Sequence, residues 1–361
     1  MSALPGPAEV EVSIIIPAWR LTDELQDCLD ALAAQVNAPT LEVIVVVNGG
    51  DKAVSQVARD HPLHPTVRDL PVNIGFGRAC NLGASTACGE YLVFLNDDTQ
   101  VEPNWLAAAK AAGEQPGVGA VVPLLLEMDG ETVMEAGARI VGEAEYHPFG
   151  IGQTIAEAAE AGVLAPRNVD YGSGAAILIS ADLFRKLGGF DPIFAPAYYE
   201  DTDLQFRIRA AGYTIWFEPT ARVRHHANRS TKDLYAFREF ASERSRALFL
   251  TRWRDVLADA PSLTASAMEL TPMPDQMQFP PGEHNLLDGA ADPALLHSLV
   301  TATNAEYVPW LENIYIPRLY DQIGDEQQKL RDVQATLSWR ITKPLRAIRA
   351  LQPSHKAARN N

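Results

Sequence analysis

Tyr91-Leu92-Val93-Phe94-Leu95-Asn96-Asp97-Asp98-Thr99 is a short apolar run closed by a polar turn that carries two adjacent carboxylates. A run of this length, rich in aromatic and branched residues and stopped by polar ones, predicts a buried strand. Open α/β sheets hold their ligands at the carboxyl ends of such strands. The stretch therefore predicts hard oxygen ligands at a sheet edge, where a divalent cation and a diphosphate can be held.

The flanking sequence repeats the pattern. Val12 to Ile16 reads as a strand ending at Pro17, and Thr22 to Gln35 as a helix with Leu25, Cys28, Leu29 and Leu32 on one face. Leu41 to Val47 reads as the next strand, stopped by Asn48-Gly49-Gly50. A strand near Val67 to Leu70 and a helix from Gly77 to Ala87 lead into Tyr91 to Leu95, and Gly119 to Leu126 and Ala175 to Ser180 read as later strands. The alternation predicts a mostly parallel, doubly wound sheet with Pro17, Asn48 and Asp97 at one edge. Gly142 to Arg167, rich in Gly, Ala and Glu, reads as a flexible excursion. Pro-, Met- and Ser-rich sequence follows a boundary placed near 258, so the expected organisation is a domain over 1–258, a linker-like segment over 259–292 and a helical extension over 293–361.

With 361 residues, 47% of them hydrophobic and 21% charged, the chain can bury a full core. A net charge of −16 argues against non-specific nucleic-acid binding. Three cysteines without metal spacing (Cys28, Cys80, Cys88) read as packing residues in a reducing compartment. No segment has the length and apolarity of a membrane span, and the N-terminus lacks a signal-peptide pattern, so the expected location is cytoplasmic.

Each motif has a plainer explanation. Asp97-Asp98 suits a helix N-cap or an Asx-turn ahead of Pro103 to Ala112. Gly75-Phe76-Gly77 has the start of a dinucleotide fingerprint, but Cys80 stands where the third glycine belongs, which argues against a nicotinamide cofactor. Glu200, Asp201 and Asp203 open a helix, where carboxylates are favoured by the helix dipole.

Taken in order, the motifs resemble the glycosyltransferases of family 2. The resemblance is carried by Ser13-Ile14-Ile15-Ile16-Pro17, Asn48-Gly49-Gly50, Asn73 to Gly83 and Leu95 to Thr99. It continues through Gly172-Ser173-Gly174-Ala175-Ala176, Gly188-Gly189-Phe190-Asp191, Tyr199 to Leu204, Arg207, Gly212 and His225-His226. It covers residues 12–255 and is strongest to bacterial rhamnosyltransferase-like enzymes that build surface polysaccharides. It implies an α/β GT-A (nucleotide-diphospho-sugar transferase) fold with a C-terminal helical extension. It further implies metal-dependent transfer, with inversion, of a sugar from a UDP- or dTDP-linked donor to a hydroxyl of a growing, lipid-linked glycan.

The resemblance also implies roles for single residues. Asp98 becomes a ligand of Mg²⁺ or Mn²⁺, Asp97 faces the ribose or the same metal, and His225, 24 residues after Asp201, takes the family's histidine-ligand place. Asn96 stands where relatives often carry an aspartate. Asp201 becomes the base, with Glu200 orienting the acceptor or replacing Asp201; Asp203 caps locally or pairs with Arg207. Pro17, Ala18, Trp19 and Asn48 are expected around the nucleobase, Asn48 reading a pyrimidine edge through its amide. Asn73, Gly75 and Arg78 are expected on the donor side, Arg78 either at a phosphate or as a solvated surface residue. The Gly172-Ser173-Gly174 backbone is expected near the sugar, or as a tight turn set by packing. Acceptor selection is expected from Gly142 to Arg167 and Leu263 to Leu295.

From Leu330 on, Val333, Leu337, Ile341, Leu345 and Ile348 form an apolar stripe, with Arg340, Lys343, Arg346 and Arg349 on another side and Pro344 as a kink. This composition suits peripheral contact with an anionic membrane face, or packing on the body or on a partner. Two other readings are a sugar nucleotidyltransferase, which lacks its Gly-rich Arg loop here, and a non-catalytic scaffold for polysaccharide assembly.

Overall fold

The computed structural model describes residues 10–227, 229, 232–262, 269–274 and 293–335. The stripe and basic side expected beyond Ala335 lie outside the described residues. Two compact units divide after Thr303.

In the first unit, β1 (Val12–Ala18), α1 (Thr22–Ala33), β2 (Leu41–Asn48), α2 (Lys52–Asp60), β3 (Thr66–Leu70), α3 (Phe76–Ser85) and β4 (Tyr91–Leu95) alternate as the sequence predicts. β1 pairs in parallel with β2 on one side and β4 on the other, and β3 lies beyond β2. The chain thus leaves β1 in opposite directions, a switch point of the kind where open α/β sheets place their ligands, and Trp19 and Asp97 stand at it.

Then come β5 (Thr99–Val101), α4 (Trp105–Gly113), β6 (Val118–Leu126), β7 (Val133–Glu135), β8 (Ala138–Val141), β9 (Glu145–Pro148) and α5 (Ile155–Glu160). β10 (Arg167–Val169), β11 (Ala176–Ser180), α6 (Ala181–Lys186), α7 (Glu200–Ala210), β12 (Thr214–His225) and α8 (Tyr235–Ala258) follow. β11 inserts antiparallel between β4 and β6, and β5, β7 and β10 also pair antiparallel, so the sheet is mixed, more so than the mostly parallel sheet expected.

Alternation along β1 explains the layers. Ile14 and Ile16 face Leu25, Cys28 and Leu29 of α1, Val54 of α2 and Leu106 of α4; Ile15 faces Ala79 of α3, Phe184 of α6 and Leu204 of α7. Burying both faces makes a strand read as an unbroken apolar run. Cys28 and Cys80 are buried as packing residues, whereas Cys88 is exposed.

Residues 142–167 are built, not a loose excursion. β8 and β9 form a hairpin, and Thr154 and Glu157 make a capping box for α5. The glycines that suggested flexibility turn corners at positive φ, among them Gly150 (75°) and Gly162 (72°). Buried Arg167 locks the end of the segment, donating to the Val163, Ala165 and Ala136 carbonyls and lying over the Phe149 and Phe217 rings. Glu269–Pro274, within the stretch that composition reads as a linker, seats Thr271 on Asp170, with Thr271 1% exposed.

α8 closes over α7 through edge-to-face contacts of Phe206 with Phe249 and Trp253. Beneath them Asp203, fully buried, accepts from Arg207 Nε (2.7 Å), Arg252 Nη1 (2.8 Å) and Trp253 Nε1 (3.0 Å). The pairing with Arg207 is the one the sequence suggested, and α8 supplies two further donors. The second unit contains the end of α9 (Pro293–Trp310), a π-helical turn over Leu311–Tyr315 and α10 (Ile316–Ala335). Among the described residues no helix is long and apolar enough to cross a membrane.

Removing Asp203 would leave the buried Arg207 guanidinium without its carboxylate, while Arg252, 21% exposed, would keep Asp191 at 2.7 Å. Asp203→Ala is expected to cost about 3–5 kcal/mol in urea unfolding, the cost of leaving buried charges uncompensated; a loss under 1 kcal/mol would show that this network does not hold α8.

Candidate active site

The site grows from the turn after β4. Asp97 turns inward, and its Oδ2 accepts the Trp19 amide (2.9 Å), tying the ends of β4 and β1 at the switch point. Burial, and then the neighbouring Asp98, push the Asp97 carboxyl well above the usual carboxylate range. β5 pairs antiparallel with the end of β12, setting His225 opposite Thr99. That register brings His225 Nε2 to 3.2 Å from Asp98 Oδ1, while the His226 amide donates to the Asp98 carbonyl (2.9 Å). Asp98 Oδ1 is nonetheless a buried oxygen without a hydrogen-bond partner among the described residues, because the alignment with His225 is poor. His225 Nε2 also lies 3.4 Å from the Asn96 side-chain amide, and a carboxylate oxygen beside an imidazole nitrogen is a donor set that fits a divalent cation. Among the described residues no third His, Cys, Asp or Glu joins them, which leaves the other positions of a cation to ligands from outside the protein.

The second wall comes from α7. Tyr198 and Tyr199 just before it sit at φ 72° and 65°, a left-handed conformation that bulky residues rarely adopt and that active sites often hold. They deliver Glu200 and Asp201. Asp201 Oδ2 accepts the Tyr171 hydroxyl (2.6 Å) and the Gly174 amide (2.8 Å), and Oδ1 accepts the Thr202 amide (2.7 Å) and hydroxyl (3.3 Å). Glu200 is 6% exposed, its Oε2 has no partner among the described residues, and burial, then Asp201, raise its pKa well above the ordinary value. The two adjacent carboxyls thus stand in different surroundings, Asp201 held by four hydrogen bonds and Glu200 with one oxygen unpartnered among the described residues.

The remaining expected residues serve more as supports. Pro17 and Ala18 end β1 at the switch point. Asn48 Nδ2 donates to Asn73 Oδ1 (3.1 Å) and the Gly75 carbonyl (3.2 Å), and its Oδ1 accepts the Ile74 amide (2.8 Å). Both amide protons are thereby engaged by the 73–75 loop. Gly75, at φ 90°, lies where a Cβ would stand 2.3 Å from the Pro196 carbonyl. Arg78 is partly buried and donates to the Pro192 carbonyl (3.3 Å), so it is not a solvated surface residue. Asn81 clamps Phe190 through both its amide and carbonyl (2.7 and 2.9 Å), so the two motif blocks hold each other.

Sequence reasoning missed Glu135, Tyr146 and Gln205. Glu135 is 1% exposed, and it accepts the Ser173 amide at Oε1 (2.8 Å) and the Tyr146 hydroxyl at Oε2. Burial pushes its pKa up to about 7, with Asp201 adding to the rise and Tyr146, Ser173 and His225 opposing it. Its signal in the sequence was a lone acid ending an apolar strand, Val133-Met134-Glu135.

A switch point between β1 and β4, a buried Asp98 Oδ1 without a hydrogen-bond partner beside His225, and a held carboxylate on α7 are what the GT-A fold of glycosyltransferases leads one to expect at this edge. The sequence profile "Glycosyl transferase family 2" matches residues 13–185. The N-acetylglucosaminyl-diphospho-decaprenol L-rhamnosyltransferase of Mycobacterium tuberculosis is 31% identical over 247 residues, 63% of this chain and 79% of that protein. The chain belongs to glycosyl transferase family 2. The O-antigen biosynthesis protein RfbC of Myxococcus xanthus is 30% identical over 234 residues, 62% of this chain but only 18% of RfbC. The fold is shared with a crystal structure of GalNAc-T7 with UDP, GalNAc and Mn²⁺, at a TM-score of 0.52 and 15% identity, over 85% of this chain and 57% of that one.

Because the folded state binds the Glu135 proton more tightly than the unfolded chain, stability from this group is full below pH 4.5 and is lost as pH rises through about 7. In metal-free buffer the unfolding free energy is expected to fall by about 2–3 kcal/mol from this group between pH 5 and 8. Glu135→Gln should flatten that slope in urea titrations; an unchanged slope would place the titration elsewhere.

Proposed function

We propose that this protein transfers a sugar, with inversion, from a UDP- or dTDP-linked donor to a hydroxyl of a growing, lipid-linked bacterial surface glycan. The observation that carries this reading is the buried, unpartnered Asp98 Oδ1 beside His225 Nε2, at the edge where β1 and β4 part. The names of the relatives support the substrate class. One names a rhamnosyl transfer to a diphospho-decaprenol-linked sugar, the other O-antigen assembly.

Asp98 and His225 would hold a Mg²⁺ or Mn²⁺, which when bound neutralises the charge on a departing diphosphate. Asp97 and Trp19 fix the crevice in which the nucleotide lies, and the Gly172 to Gly174 backbone, apart from it, faces the sugar. Asp201 takes the proton of the acceptor hydroxyl. That oxygen forms a bond to the anomeric carbon as the bond from this carbon to the diphosphate oxygen breaks, and the electron pair leaves with the diphosphate. The Thr202 hydroxyl, at 3.3 Å the longest of the four bonds to Asp201, is the one an acceptor hydroxyl would replace. Glu200, whose pKa burial and Asp201 raise, would orient the acceptor hydroxyl.

Titration calorimetry with UDP and dTDP, with and without Mn²⁺, tests the donor side. One diphosphate should bind in a metal-dependent way, and Asp98→Ala should abolish that dependence; equal affinity with and without metal in the wild type would sink the metal assignment.

Asp201→Asn, close in shape, should keep diphosphate affinity within about twofold and lower sugar turnover by about 10²–10⁴, the range of a general base. Turnover within about threefold of wild type would move the base elsewhere.

A further inference from the structure

Three successive residues of the turn before β11 are each gripped by a different side chain. Gly172 is held at both ends by Gln205, which accepts its amide (2.9 Å) and donates to its carbonyl (2.6 Å). Ser173 gives its amide to Glu135 Oε1 (2.8 Å), and Gly174 gives its amide to Asp201 Oδ2 (2.8 Å). Gln205 and Asp201 both belong to α7, whereas Glu135 ends β7, so the turn is strung between two elements.

The two glycines have no room for side chains. A Cβ at Gly172 would stand 2.5 Å from Val122, and one at Gly174 would stand 2.8 Å from Asp201. Ser173 alone of the three is partly exposed, so it is the part of the turn that reaches the cleft. What fixes its position is Glu135. The other Glu135 oxygen accepts the Tyr146 hydroxyl; the Tyr146 ring meets Tyr171 edge-on at 5.7 Å, and the Tyr171 hydroxyl returns to Asp201. A closed circuit thus runs from Ser173 through Glu135, Tyr146 and Tyr171 to Asp201 and Gly174.

We propose that Glu135 is a positioning residue for sugar transfer, holding Ser173 against the donor sugar and keeping the turn in register with Asp201. This rests on the reading given under Proposed function. A carboxylate 1% exposed is costly to bury, and a neutral acceptor would satisfy one amide. The second oxygen, bonded to Tyr146, is what ties the turn to the Asp201 side. The crevice at Trp19 and Asp97 is built from β1 and the turn after β4, outside this circuit, so diphosphate binding should not depend on Glu135.

The test measures the slow hydrolysis of UDP-glucose and dTDP-rhamnose with Mn²⁺, together with calorimetric binding of UDP and dTDP. Glu135→Ala should keep diphosphate affinity and donor KM within about threefold while kcat falls by about 10²-fold, the scale of a misplaced reacting group. Glu135→Gln, which still accepts from Ser173 and can donate to the Tyr146 oxygen, should return kcat to within about fivefold of wild type. Tyr146→Phe opens the circuit without touching the Ser173 bond, and its kcat should fall by about tenfold below wild type, a readout that stands even if Glu135→Ala does not fold. Unchanged kcat in both Glu135→Ala and Tyr146→Phe, a parallel loss of diphosphate affinity, or a Glu135→Gln variant as slow as Glu135→Ala would overturn the proposal. A wild-type protein that neither binds a diphosphate nor turns over a donor would overturn the functional reading itself, before any variant is compared.

Discussion

The constraint that shapes this molecule is the burial of carboxyl groups at one edge of its sheet. Asp97, Asp98, Glu135, Glu200 and Asp203 are all less than 8% exposed in a chain that already carries a net charge of −16. Each buried carboxylate must be neutralised, hydrogen-bonded or protonated. Asp203 is met by two guanidiniums and an indole, Asp97 by one amide and a raised pKa, and Glu135 by a tyrosine and an amide. Asp98 Oδ1, beside His225, and Glu200 Oε2 have no hydrogen-bond partner among the described residues. The satisfied acids hold the scaffold, and the unsatisfied pair marks the places where a ligand from outside would complete the chemistry.

Satisfying those acids recruits backbone as much as side chains. Ser173, Gly174, Thr202 and Trp19 all give amides to carboxylates of the site, and such bonds require the chain to arrive at fixed angles. Tyr198 and Tyr199 at positive φ and glycines without room for a Cβ are the local cost of that arrival. α8 offsets part of it by locking α7 from behind through Asp203, Arg252 and Trp253. Strain at the front of α7 and ion pairing at its back belong to one arrangement.

The parts of this arrangement that the sequence makes legible are those whose logic is local. β4 and its Asp97-Asp98 turn, and the α1 face of Leu25, Cys28, Leu29 and Leu32, follow from periodicity and punctuation within a dozen residues. His225 is different, because nothing near it in sequence marks it; only the order of family motifs placed it, and the β5–β12 register is what brings it to Asp98. Glu135 escaped both routes. β7 is three residues long, too short for a pattern, and the partner that gives Glu135 its meaning lies 38 residues on. Asn48 was read from its position at the end of β2, and its amide engages a loop 25 to 27 residues away. Composition misled at residues 142–167, since a glycine-rich stretch reads as loose whether its glycines are free or are turning corners.

The separation of the supporting contacts bears on how donor and acceptor chemistry can vary within such a fold. On the proposed reading the nucleotide side rests on β1, β2 and β4, with Asn48 holding the 73–75 loop and Asp97 holding Trp19. The transfer side then rests on α7 and the 172–174 turn, tied through Glu135 and Tyr146 to β7 and β9. These supports draw on different strands and share few residues, so a change in one side's loops need not disturb the other. The β8–β9 hairpin is the point of exception. Tyr146 reaches the Asp201 circuit from within it, and Tyr199 donates to Ala144 at its tip (2.8 Å). A segment that looks like a variable surface insertion is therefore fastened to both the turn and the entry to α7, and alterations there should be felt in the rate of transfer before they are felt in nucleotide binding.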